Sequence, residues 1–169
     1  GSDSITLIAN DVDGDDLTYT ISEGADITAT LDGISVTFAA SENFNGSESF
    51  IVIVSDGDLS ASQSFTVTVN AVNDTPAADS ASSETSEDQE VVIALTASDV
   101  DGDNLSFSLD SDATNGSVTI NGSFATYSPN DNFSGSDSFT FTVSDGELVD
   151  TAIVNVTVNA VNDAPVLAS

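Results

Sequence analysis

One pattern is written nearly twice in this sequence, at a spacing close to 89 residues, so the chain must fold as small units in tandem. Asp11-Val12-Asp13-Gly14-Asp15-Asp16-Leu17 returns 88 residues later as Asp99-Val100-Asp101-Gly102-Asp103-Asn104-Leu105. Phe44-Asn45-Gly46-Ser47-Glu48-Ser49-Phe50 returns at 89 as Phe133-Ser134-Gly135-Ser136-Asp137-Ser138-Phe139, and Val54-Ser55-Asp56-Gly57 as Val143-Ser144-Asp145-Gly146. A single inserted residue reconciles the two shifts. Residues 69–76 match 158–165 in the same way. The expected organisation is a first repeat at 1–72, a linker at 73–76, a second repeat at 77–161, and the start of a further linker and repeat at 162–169. The first repeat has no counterpart of residues 77–90, and is expected to lack its N-terminal strand. The whole reads as a window on a longer array.

Within each copy the apolar period is 2. Phe139, Phe141 and Val143 alternate with Ser138, Thr140 and Thr142, and Val154, Val156 and Val158 with Asn155 and Thr157, as in strands with one buried face. Further strands are expected at 91–97, 105–109, 117–120 and 123–127, with Asn121-Gly122 as a two-residue hairpin turn. Residues 77–90 read as an extra edge strand. About seven short strands in such a unit predict an all-β sandwich with hardly any helix. Phe44 and Phe133 are expected as core plugs beneath the turns at Gly46 and Gly135. Ile51 and Ile53, where the second copy has Thr140 and Thr142, read more simply as strand formers than as a contact surface.

Each acidic loop falls between two such strands and sets three carboxylates at alternate positions: Asp11, Asp13 and Asp15 in one copy, Asp99, Asp101 and Asp103 in the other. Two like charges ~5 Å apart repel by roughly 3 kcal/mol at an effective dielectric of 20. The chain has no Lys, Arg or His to offset this, and its formal charge is −29. Hard oxygen donors without a cationic partner suit Ca²⁺, which takes 6–8 of them. The bland alternative is a solvated hairpin rich in turn formers. An EF-hand does not fit, because the loop glycine comes at position 4 instead of 6 and no helices flank it. For Asp56-Gly57 and Asp145-Gly146 the residues alone favour a type I′ turn.

The charge also excludes nucleic acid and anionic membrane as electrostatic partners, since both need a basic footprint. No run approaches 18 apolar residues, so no membrane insertion is expected. Without Cys, His, Lys or Arg nearly every type of active site is excluded, and a carboxylate pair for glycoside hydrolysis is a weak remainder. An enzyme is not expected.

Ala97-Ser98-Asp99-Val100-Asp101-Gly102, then Val143-Ser144-Asp145-Gly146, then Val161-Asn162-Asp163-Ala164-Pro165 resemble, in order, the signatures of cadherin repeats. The chain is most similar to bacterial cadherin-like tandem repeats, the extender modules of large RTX-type surface adhesins exported by type I secretion. The resemblance implies tandem Ig-like, cadherin-like Greek-key β-sandwiches with Ca²⁺ between successive modules. It implies a central junction of Asn73, Asp74, Glu48, Asp99, Asp101 and Asp145, a front half-site of Asp11, Asp13 and Asp56, and a back half-site of Glu87, Asp137, Asn162 and Asp163. Ala71 and Ala160 replace the first Asp of the linker signature, which implies fewer ions per junction than in animal cadherins. The function implied is a calcium-rigidified spacer on the bacterial surface or in the extracellular medium. Its partners would be the adjacent repeats and, as a further candidate, other adhesin chains. The alternative is a calcium-dependent carbohydrate- or protein-binding module, which would need aromatics exposed on a groove.

Overall fold

The computed structural model describes residues 2–164; the expected start of a third repeat, at 165–169, lies outside the described residues. The chain divides into two compact units, Gly1–Val72 and Asn73–Ser169. All regular structure among the described residues is strand, and no helix is long and apolar enough to cross a membrane.

The first unit holds β1 (Ser2–Thr6), β2 (Thr18–Ile21), β3 (Ile27–Asp32), β4 (Ser35–Ala40), β5 (Gly46–Ser55) and β6 (Ser60–Val69). They form two antiparallel sheets, ordered β1-β4-β3 and β2-β5-β6. Period-2 alternation turns Ile27, Val36, Phe38 and Phe50 inward to make the core. The rings of Phe38, Phe50 and Phe65 cluster there, with centroids 5.3, 5.8 and 6.1 Å apart, within the favourable range for aromatic pairs.

The second unit holds β7 (Ala77–Ala78), β8 (Ala81–Ser86), β9 (Val91–Ala94), β10 (Ala97–Ser98), β11 (Ser106–Ser111), β12 (Gly116–Asn121), β13 (Phe124–Pro129), β14 (Gly135–Ser144) and β15 (Val149–Asn159). One sheet is β12-β13-β9, the other β11-β14-β15-β8, and β7 pairs with β10 at the side. Phe139, Phe141 and Val143 of β14 and Val154, Val156 and Val158 of β15 are all buried against Tyr127, Val118 and Ile93 of the facing sheet. Residues 77–90 supply β7 and β8, and β8 runs parallel to β15 with Ala81 opposite Val154 and Ser86 opposite Asn159.

Three local expectations need correction. The strand expected at 91–97 is interrupted, β9 ending at Ala94 and β10 resuming at Ala97. The hairpin turn after β12 is Gly122-Ser123, because Asn121 is itself paired with Phe124; glycine takes the first loop position, with φ 58°. The β14–β15 hairpin is closed by four residues instead of a two-residue type I′ turn, since Ser144 pairs with Val149. Asp145 builds that loop itself, its Oδ1 accepting the N–H groups of Glu147 and Leu148 at 2.7 Å each. The first unit repeats the device with Asp56, which accepts from Asp58 and Leu59.

Candidate metal centre

In the second unit the acidic loop is folded around one oxygen. Asp99 Oδ1 accepts the N–H groups of Asp101 (2.9 Å) and Asp103 (3.2 Å), and Gly102 takes φ 78° to turn the chain back. This fold draws ligand oxygens of Asp99, Asp101 and Asp103 to within 4.8 Å of one another. The other oxygen of Asp99, Oδ2, is buried and has no hydrogen-bond partner. An ionised buried oxygen without a donor is costly, and the three carboxylates cannot be neutralised by any side chain of this chain.

The segment that follows Val72 closes the cluster on a second side. Asp74 donates its N–H to Asp101 Oδ2 at 2.8 Å, and Asn73 Nδ2 donates to Asp145 Oδ2 at 2.9 Å. Asn73, Asp74, Asp99, Asp101, Asp103 and Asp145 are thereby gathered at one end of the second unit. Hydrogen bonds from Leu148 and Glu147, and then from Asn73, hold the Asp145 carboxyl below its ordinary value. Donors that stabilise the ionised form keep it charged and ready for a cation. All the donors in this set are hard oxygens and their negative charge is uncompensated, so the residues fit Ca²⁺.

The first unit folds its acidic loop around Asp11 in the same way. Asp11 Oδ1 accepts from Asp13 (2.8 Å), Gly14 (2.8 Å) and Asp15 (3.2 Å). Asp11 and Asp56 line one cleft of about 200 Å³. Among the described residues, however, only the trio of Asp99, Asp101 and Asp103 reaches metal-ligand spacing.

Glu48, Glu87 and Asp137, also read as ligands from the sequence, are occupied by protein donors. Glu48, at the start of β5, accepts the N–H groups of Ala25 (3.1 Å), Asp26 (2.7 Å) and Ile27 (3.3 Å). Asp137, at the start of β14 and only 9% exposed, accepts from Thr114 (3.2 Å), Asn115 (2.8 Å) and the Tyr127 hydroxyl (3.0 Å). Glu87 is buried after β8 and accepts the N–H of Val161 through Oε1. Asn162 donates its side-chain amide to the Asp163 carbonyl, and both residues are exposed. Asp137 and Asp145 sit at opposite ends of β14, so the back set of residues is well separated from the acidic cluster.

Sequence reasoning missed two features here. Asp150 accepts the N–H of Ala78 at 2.9 Å and so ties β7 to β15; the signal was that Ala61 stands at its place in the copy without residues 77–90. Tyr127 and Asp137 form a buried pair where the first copy has Phe38 and Glu48. Glutamate reaches its three backbone donors with an extra methylene, whereas aspartate is shorter and the tyrosine hydroxyl fills the difference. Burial, then the Asp137 hydrogen bond and charge, push the Tyr127 hydroxyl well above its ordinary value. A group whose value is raised on folding contributes stability fully below its unfolded value, near 10, and loses it as pH rises further. Melting temperature should therefore fall above pH ~10 in the parent more steeply than in Tyr127→Phe, as followed by calorimetry. Parallel falls would mean that the hydroxyl is not held in this way.

The sequence profile of the bacterial Ig domain matches residues 1–70 and 73–157. Human protocadherin-24 EC1-2 is similar in structure, with a TM-score of 0.58 and 19% identity over 95% of this chain and 88% of that one. Protocadherin gammaB7 EC3-6 gives 0.55 and 14% over 94% and 50%. An endo-fucoidan hydrolase of glycoside hydrolase family 107 covers 96% of this chain, but the chain spans only 26% of that protein, and a TM-score of 0.40 is below what marks a shared fold. No curated protein matches. At these identities the structural likenesses speak for the fold alone, an Ig-like, cadherin-like β-sandwich.

Proposed function

Because the chain belongs to the bacterial Ig domain family, whose profile matches both of its units, we propose that it is a calcium-binding structural spacer of an extracellular bacterial adhesin, without catalytic activity. Asp99, Asp101, Asp103 and Asp145 hold the ion, with Asn73 and Asp74 beside them. The observation that carries this reading is the buried, partnerless Oδ2 of Asp99 next to two more carboxylates, in a chain without a single basic side chain. Bound Ca²⁺ supplies the missing positive charge. The protein's own part is to keep 73–74, the residues that join the units, on the acidic loop through the Asp74–Asp101 and Asn73–Asp145 hydrogen bonds. The partners on this reading are the neighbouring repeats of the same protein.

Titration calorimetry tests it. Asp101→Asn should weaken calcium binding about tenfold or more, since a charge-assisted interaction of roughly 1.5–3 kcal/mol is lost and each 1.4 kcal/mol is tenfold. Asp13→Asn, the same change in the loop whose carboxylates do not reach metal-ligand spacing, should leave that affinity unaltered. Equal affinities for Asp101→Asn and the parent would refute the assignment.

A further inference from the structure

Three Asn-Gly pairs occur in the chain, at 45–46, 115–116 and 121–122, and each is followed by serine. Their local chemistry is therefore alike, and only the fold separates them. In such a pair the glycine nitrogen can attack the asparagine side-chain carbon, because glycine has no side chain to hinder the approach. Ring closure also requires the backbone between the two residues to swing out of its extended form, which costs least where few contacts hold it.

At Asn115 the backbone is held on both sides: its N–H donates to Asp137 Oδ2 at 2.8 Å, and its carbonyl accepts from Asn130 at 2.8 Å. Gly116 is packed so closely that a Cβ there would fall 2.5 Å from the Tyr127 ring. Asn45 is exposed, but Gly46 is paired with Val69 at the start of the long β5–β6 ladder, and the Phe44 ring lies 3.2 Å from where its Cβ would stand. Asn121 and Gly122 are both exposed at the tip of the β12–β13 hairpin, with nothing within 4 Å of a Cβ on Gly122. The ladder pair to be released there is Asn121 with Phe124, itself 54% exposed. The same hairpin in the first unit has Asp32 in place of Asn121. Asp32 pairs with Ser35, and Gly33 takes φ 60° against 58° at Gly122, so an aspartate fits this turn.

We propose that Asn121-Gly122 is a site of spontaneous self-modification, at which the folded chain deamidates. The Gly122 nitrogen gives up its proton to hydroxide and bonds to Cγ of Asn121; the Cγ–Nδ2 bond breaks and ammonia leaves. Water then opens the succinimide at either carbonyl, giving aspartate or isoaspartate. Water is consumed and ammonia released, with no change of oxidation state. Aspartate leaves the hairpin as the first unit has it, with one more negative charge. Isoaspartate adds a methylene to the main chain after 121 and puts its pairing with Phe124 out of register.

The full chain is aged in mildly alkaline buffer, and peptides spanning each pair are quantified by mass spectrometry. Conversion at 121 should outrun that at 115 by at least about tenfold, the equivalent of about 1.4 kcal/mol of extra opening cost at the held pair, and should also exceed that at 45. In urea sufficient to unfold the chain the three rates should converge. Asn121→Asp should melt with the parent in calorimetry. Three results would each overturn the proposal: conversion in the folded chain that is fastest at 45 or 115, the same order of rates in urea, and a lowered melting temperature for Asn121→Asp.

Discussion

Removing calcium should lower the melting temperature of the second unit by about 10–20 °C and leave the first unit's transition much less affected. The size follows from linkage: calcium at 100 times its dissociation constant stabilises a site by roughly 2.7 kcal/mol, and 1 kcal/mol moves the melting point of a domain this small by about 4–8 °C. The asymmetry follows from geometry, because only Asp99, Asp101 and Asp103 close to metal-ligand spacing among the described residues. Magnesium should restore little, since it requires a small octahedral shell and gives up its water reluctantly. Acid should act in the same direction as chelation. The Asp145 and Asp56 carboxyls lie below their ordinary value of 3.8, so their contribution is present above that pH and lost as pH falls through the lowered values. Superimposable calorimetric traces with chelator and with calcium would sink the calcium reading.

Asp137→Ala should be more damaging than any substitution in the acidic loop. It strips the acceptor from Thr114, Asn115 and the Tyr127 hydroxyl at a buried site. Each stranded donor costs roughly 1–3 kcal/mol, giving a total of about 3–9 kcal/mol and a loss of about 15 °C or more in the second unit. The sharper experiment transplants the first unit's solution. Asp137→Glu crowds the Tyr127 hydroxyl and Tyr127→Phe removes one donor, so each alone should destabilise. Together they recreate the Glu48 and Phe38 pairing, and the double variant should recover about 1–3 kcal/mol relative to the sum of the singles. Strict additivity would show that the two arrangements are unrelated.

Much of the fold was legible because alternation and repetition are local signals. Strands β14 and β15 could be placed from Phe139, Phe141 and Val143 and from the valine ladder, where one buried face dictates every second residue. The turns were less legible. At Asn121-Gly122-Ser123 the dipeptide rule named the wrong pair by one residue, since the strand pairing continues through Asn121 and leaves glycine to open the turn. At Asp145 an apparent two-residue turn became a four-residue loop because the side chain caps two amides, an option that backbone turn rules do not weigh. The acidic cluster itself was readable, as its residues are close in sequence and fold around Asp99. Glu48 and Asp137 were read as ligands only through family resemblance. Their donors at Ala25–Ile27 and Thr114–Asn115 lie 21–23 residues back along the chain, beyond the reach of any local motif.

The parallel pairing of β8 with β15 also bears on how the protein carries load. Ala81 enters beside Val154, and Asn159 leaves beside Ser86, so the two ends of this ladder point in opposite directions along one line. Tension applied through the chain on either side of the second unit therefore slides the two strands past each other. Their hydrogen bonds must then give way together instead of one after another. Under a steady pull the second unit should therefore hold until this whole ladder shears at once.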